Sequence, residues 1–176
     1  MVFEMDADYN VYAAGKNREL LSFDAQGALR WRRRIGTHVV TAGANSMSAD
    51  GSRVAVGTVS GWVKVYESGG DLLWQRRLPG NLQGHNALDM TPDGEFILVG
   101  SAGDLGQDGY VTLYNRDGAV LWQTRSPDLR DQGTVAYPYE YNHNHRGVIT
   151  VAVSDDARYI VAGYGDSTLR VFAAGS

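Results

Sequence analysis

Short apolar runs recur along this chain, alternating with polar residues as in VKVY at 63–66 or apolar throughout as in FILV at 96–99. A two-residue period is the mark of a strand with one face buried. The runs stop at Asp-Gly, Gly-Gly or Gln-Gly, pairs that supply the positive φ of tight hairpin turns. No stretch of 11 residues holds a helical period, so the chain is expected to be nearly all β.

The runs recur in groups of four. The plainest group is Asp50–Trp74, DGSRVAVGTVSGWVKVYESGGDLLW. Its acidic turn residue has counterparts at Asp8, Asp93 and Asp156, and seven positions later each copy has a glycine: Gly15, Gly57, Gly100 and Gly163. An aromatic closes the next run at Phe23, Tyr66, Tyr114 and Phe172, and eight residues on stand Trp31, Trp74 and Trp122. The fourth tryptophan would fall near position 180, past Ser176. Successive anchors are 42, 43 and 63 residues apart. A period of about 42 residues holding four strands is that of a β-propeller blade.

Strand A of each unit is expected at Val2–Met5, Asn45–Met47, Ala87–Met90 and Val148–Val153, and strand B at Val11–Ala14, Arg53–Val56, Phe96–Val99 and Tyr159–Ala162. Strand C is expected at Leu20–Phe23, Trp62–Tyr66, Tyr110–Tyr114 and Thr168–Phe172, and strand D at Ala28–Arg32, Leu72–Arg76 and Val120–Thr124. The fold class is therefore an all-β propeller of about four blades, a single domain over 1–176. Its blade units are about 1–36, 37–80, 81–130 and 146–176. The last blade lacks its outer strand. Either the chain is part of a longer propeller, or a second copy completes an eight-bladed ring, or four blades close on themselves.

The unit written at Ser48–Gly57, Val63–Tyr66 and Leu72–Trp74 resembles the pyrroloquinoline-quinone-like and WD-repeat-like β-propellers. The closing DGAVLW at Asp117–Trp122 is nearer the quinoprotein-like repeat. That resemblance implies a strand-D tryptophan packed between neighbouring blades, so Trp31, Trp74 and Trp122 are expected to be structural, as are the turn residues Asp50 and Asp93. The quinoprotein dehydrogenases' catalytic Asp, calcium ligands and quinone-binding cation do not map onto this chain. No catalytic residue and no cofactor is expected.

A net charge of −4 gives no basic field for nucleic acid or an anionic membrane, and the absence of cysteine excludes disulfides and thiolate metal sites. No membrane insertion and no nucleic-acid partner are expected. The first residues have no positive segment before an apolar one, so no signal peptide is expected in the chain as given. The cytoplasm is the default if the chain is complete, and an extracellular location stays open if it is a fragment.

Candidate chemistry lies where the chain departs from its repeat. The long insertion at 125–147 holds Tyr137, Tyr139, Tyr141, His143 and His145, a composition suited to protein recognition. A metal site at His143 and His145 with Asp128, Asp131 or Glu140 is a further reading, as is a plain connection covering a blade end. A shorter insertion at 102–109 carries Asp104 and Asp108, whose spacing does not match a full calcium loop. Glu4 and Asp89 occupy equivalent strand-A positions and are expected to line the channel. Arg32, Arg33, Arg34, Arg76 and Arg77 read as decoration of an exposed edge. The function expected is a non-catalytic binding or scaffold propeller that meets a protein partner through third-blade loops, or a second copy of itself. The alternatives are a quinoprotein-like redox enzyme and an extracellular carbohydrate-binding or assembly module.

Overall fold

A computed structural model describes residues 2–14, 17–36, 40–58, 60–78, 87–101, 109–125, 148–164 and 168–174, with the backbone alone at 2 and 40–44. These residues form strands β1 (Val2–Met5), β2 (Val11–Ala14), β3 (Glu19–Phe23), β4 (Leu29–Arg34), β5 (Val40–Met47), β6 (Arg53–Thr58), β7 (Trp62–Glu67) and β8 (Leu72–Arg77). They continue with β9 (Leu88–Met90), β10 (Phe96–Gly100), β11 (Tyr110–Asn115), β12 (Val120–Arg125), β13 (Val148–Val153), β14 (Tyr159–Tyr164) and β15 (Leu169–Ala173). They make four antiparallel meanders: β1–β4, β5–β8, β9–β12 and the three-stranded β13–β15. We number these blades 1 to 4. The innermost strands pack in chain order, β1 on β5, β5 on β9 and β9 on β13, with no comparable contact from β13 to β1 among the described residues.

Strand D runs two residues further than expected in blade 1, to Arg34, and strand A of blade 2 begins at Val40 instead of Asn45. In the latter the pairing slips between Val40 and Asn45. An irregularity between paired residues breaks the alternation that sequence reading depends on.

Alternation places each blade's residues on two faces. Tyr12, Leu20 and Trp31 of blade 1 meet Val54, Val56 and Tyr66 of blade 2. Val63, Val65 and Trp74 then meet Met90, Ile97 and Tyr114 of blade 3, and Leu98, Val111 and Leu113 meet Val151, Ile160 and Ala162 of blade 4. The core is thus three apolar seams between blades. At about 25 cal/mol per Å² of apolar surface removed from water, this stacking is what a lone blade lacks.

The A–B turns are closed by side chains. Ser48 Oγ donates to Asp50 Oδ1 at 2.7 Å and accepts from the Arg53 amide at 3.0 Å, while Asp50 Oδ1 accepts from the Ser52 amide at 2.9 Å. Thr91 and Asp93 repeat this arrangement, as do Ser154 and Asp156. The bonds to Asp50 and Asp93 hold both carboxyls below the usual aspartate value. Blade 1 solves the turn differently. There Asp6, two residues before the expected anchor Asp8, accepts from the amides of Asp8 and Asn10 at 3.0 and 2.8 Å.

Candidate functional site

The repeated tryptophans mark the seams. Trp31 Nε1 donates to the Ser68 carbonyl at 2.8 Å, and Trp74 Nε1 donates to the Arg116 carbonyl at 2.9 Å. Each indole lies over the glycine of the next blade's C–D turn. A Cβ on Gly70 would sit 2.8 Å from Trp31, and one on Gly118 would sit 2.8 Å from Trp74. Both glycines also have positive φ, +89° and +77°. Two residues after each tryptophan an arginine crosses the same seam: Arg33 Nε reaches the Gly70 carbonyl at 2.8 Å and Arg76 Nε the Gly118 carbonyl at 2.9 Å. Their guanidinium carbons stand 5.7 and 5.9 Å from the indole centroids. Arg33 and Arg76 are therefore seam residues, which corrects the reading of both as edge decoration. The signal was in the sequence as Trp-x-Arg in two copies, because residues two apart on a strand share a face.

The third seam is built of different residues. Trp122 packs against Phe172 with centroids 5.2 Å apart, and Thr124 stands where Arg33 and Arg76 stand. In the second seam Trp74 lies 5.6 Å from Tyr114, whose burial pushes its phenol up to about 12.

Glu4 and Asp89 lie on the innermost strands, and each ties its blade to the next. Glu4 Oε1 accepts from Asn45 Nδ2 at 3.0 Å across the first seam. Asp89 Oδ2 accepts from the Val153 amide at 2.8 Å across the third. Glu4 is held above the usual glutamate value, first by burial and then by the Asp89 charge. The Asp89 charge thus reaches Glu4 from two blades away.

The two ends of the arc expose positions whose equivalents are covered elsewhere in the stack. On blade 4, Leu169 is 66% exposed, whereas its equivalents Leu20, Val63 and Val111 are 1%, 0% and 0%. Val171 is 63% exposed against 0% for Val65 and 3% for Leu113. On the opposite face of blade 1, Phe3 and Met5 are 71% and 56% exposed, whereas Leu88 and Met90 of blade 3 are 3% and 6%. The first face is the kind that meets a following blade, and the second is the kind that meets a preceding one.

Tyr137, Tyr139, Tyr141, His143, His145, Asp104 and Asp108 all lie outside the described residues. Among the described residues, no three His, Cys, Asp or Glu side chains come together as a metal site. No helix there is long and apolar enough to cross a membrane.

The blade stack has solved counterparts. The crystal structure of BamB from Moraxella catarrhalis superposes with a TM-score of 0.71 at 19% sequence identity, covering 98% of this chain and 45% of that one. The chain thus spans less than half the length of that relative. A search of curated proteins found no match. The family model described as outer membrane protein assembly factor BamB matches residues 16–156, most of the chain. Four antiparallel sheets joined at three tryptophan-bearing seams, and that match, lead to one conclusion: this chain belongs to the BamB family of pyrroloquinoline-quinone-like β-propellers.

Proposed function

We propose that this chain is a non-catalytic scaffold propeller that holds a protein partner through loops of its third blade. The observation behind this reading is a division of labour along the repeat. The repeated markers among the described residues serve seams and turns, whereas the sequence that does not repeat is concentrated at 102–109 and 125–147. Loops on a rigid scaffold are where recognition concentrates. BamB is described as an outer membrane protein assembly factor, so proteins of such an assembly are the partner class expected. The test replaces 126–146 by a short Gly-Ser link and compares affinity capture from cell extract. A specific partner is to be lost while the melting temperature holds. Identical capture by both forms would sink the loop reading. Saturable binding of pyrroloquinoline quinone with calcium would instead favour the redox reading.

A second element of the proposal concerns the arc's ends. The exposed faces of blades 4 and 1 are the two halves of one blade seam, and each copy spans 45% of the BamB chain it matches. A second copy, stacked head to tail at both ends, gives an eight-bladed ring. Light scattering of the purified chain should then give twice 19.2 kDa.

A further inference from the structure

We propose that Lys64, in the seam between blades 1 and 2, is an acyl-acceptor site whose amine takes small acyl groups from activated carboxylic acids such as acyl phosphates. The chain has 16 lysines and arginines, and lysine stands at two of those positions, Lys16 and Lys64. A guanidinium keeps its proton at ordinary pH, whereas a lysine withdrawn from water gives it up more readily. The residue type at this position therefore matters.

Lys64 breaks the repeat inside a seam. Its equivalents, one residue after Leu20, Val111 and Leu169, are Leu21, Thr112 and Arg170. Val63 and Val65 on either side pack toward blade 3, so alternation turns Lys64 toward blade 1, the side that its cross-strand partner Val56 also faces. In the next seam Thr112 is fully buried and accepts from Gln123 Nε2 at 2.9 Å. The Arg170 guanidinium rests over the Tyr164 ring, 5.3 Å from its centroid. Lys64 is paired in register with Gln75, the counterpart of Gln123. Its Nζ nevertheless makes no hydrogen bond or ion pair among the described residues.

Room for the ammonium comes from Gly36. Five residues after each strand-D tryptophan the sequence has Gly36, Pro79 and Pro127. A Cβ built on Gly36 would stand 3.9 Å from Lys64 Nζ, so the glycine leaves that side open where a larger residue would narrow it. Lys64 and Gly36 are both partly exposed, which gives a small electrophile access. The titratable groups on the two faces that meet here are Tyr12 and Arg33 of blade 1 and Tyr66 and Arg77 of blade 2, none of them a carboxylate. Arg33 has its own carboxylate, Asp71, 3.6 Å away at the turn end of the seam. Burial, with no counter-ion to offset it, holds the Lys64 ammonium below the usual lysine value. The neutral amine is the nucleophile. Its lone pair forms the N–C bond to the acyl carbon, the C–O bond to phosphate breaks, phosphate leaves with that electron pair, and the surplus amine proton passes to water. The product is a neutral amide, and the seam loses an uncompensated charge.

The test treats the purified full chain with acetyl phosphate and follows each amine by peptide mass mapping. At pH 8, Lys64 is expected to be acetylated at least about threefold faster in the folded chain than in the same chain unfolded in urea, and faster than Lys16. Its rate should also reach half of its plateau at a lower pH in the folded chain. Gln75→Glu places a carboxylate directly across the strand pair from Lys64, at an exposed position, and should slow its acetylation at least about threefold without touching Lys16. Equal or slower acetylation of Lys64 in the folded chain overturns the inference. So does a folded Gln75→Glu variant that reacts as fast as the parent, because the missing counter-ion would then not be the cause. Protection of Lys64 by millimolar sulfate would make the position an anion seat and overturn it as well.

Discussion

Glu4 shows how burial sets the charge of a single inner-strand side chain. Its carboxyl is held above 4.5 by burial and by Asp89, so the folded chain binds that proton more tightly than the unfolded one. Stability linked to Glu4 is therefore highest when it is protonated, and it declines as pH rises from about 4.5 through the raised folded value. Glu4→Gln keeps an acceptor for Asn45 and removes the charge. Melting curves from pH 4 to 7 should show the variant gaining on the parent as pH rises, and a constant difference would refute the assignment. Asp50 and Asp93 act in the opposite sense: their lowered values give a contribution that is present above 3.8 and lost on acidification. Tyr9 offers a different test. It stands at φ 63°, in the turn position that Gly51 and Gly94 fill at 66° and 69°. Left-handed backbone costs a non-glycine residue about 1–2 kcal/mol, and the added chain entropy of glycine gives back about 0.4–1 kcal/mol of that. Since Tyr9 is exposed, Tyr9→Gly should stabilise by roughly 0.5–1 kcal/mol in urea denaturation; destabilisation would mean that its ring makes a contact worth more than the backbone strain.

At the scale of elements, the seams and not the strands set stability. Gly70 and Gly118 are constrained twice, by φ and by the indole above them, whereas Gly27 is constrained by φ alone. Gly27→Ala should cost about 1–2 kcal/mol from backbone conformation. Gly70→Ala and Gly118→Ala should add about 1–3 kcal/mol of overpacking against Trp31 and Trp74. Equal losses at the three sites, measured by chemical denaturation, would deny the tryptophans their seats. Trp74 is the most buried of the seam tryptophans, and Trp74→Ala should cost about 3–5 kcal/mol. Much of this level was legible in the sequence. Alternation, turn glycines and the spacing of Trp31, Trp74 and Trp122 carry local information, and a repeat reports that information four times. What stayed hidden depended on a neighbour in space. Arg33 and Arg76 look like solvent-facing charges until the next blade's carbonyls are in place, and Asp6 takes over the turn from Asp8 only through its hydrogen bonds. Gly27 follows its strand-C aromatic at the same spacing as Gly70, and among the described residues it differs in having no indole above it. The third-blade insertions, where the repeat gives no ruler, lie outside the described residues, and their tyrosines and histidines enter only through the proposal.

For the whole molecule, the two bare faces make the proposed dimer testable. The blade 4 face of Leu169 and Val171 belongs to the class that meets a following blade, and the blade 1 face of Phe3 and Met5 to the class that meets a preceding one. A two-copy ring built from these has two junctions related by a two-fold axis, and each takes a head from one copy and a tail from the other. In the alternative, an isologous pair, like faces meet. The two are separated by mixing. A head variant, Phe3→Asp with Met5→Asp, spoils one side of both junctions, and so does a tail variant, Leu169→Asp with Val171→Asp. Each alone should be a folded 19.2 kDa monomer in light scattering, since the substituted side chains are already solvent-exposed in the single copy. Mixed, the tail of the first and the head of the second are both intact, so one junction forms and a dimer returns. An isologous contact gives a different pattern: one variant stays dimeric alone, and mixing restores nothing. Because the seam that would form lacks a strand-D tryptophan, this rescued dimer should be weaker than an internal seam.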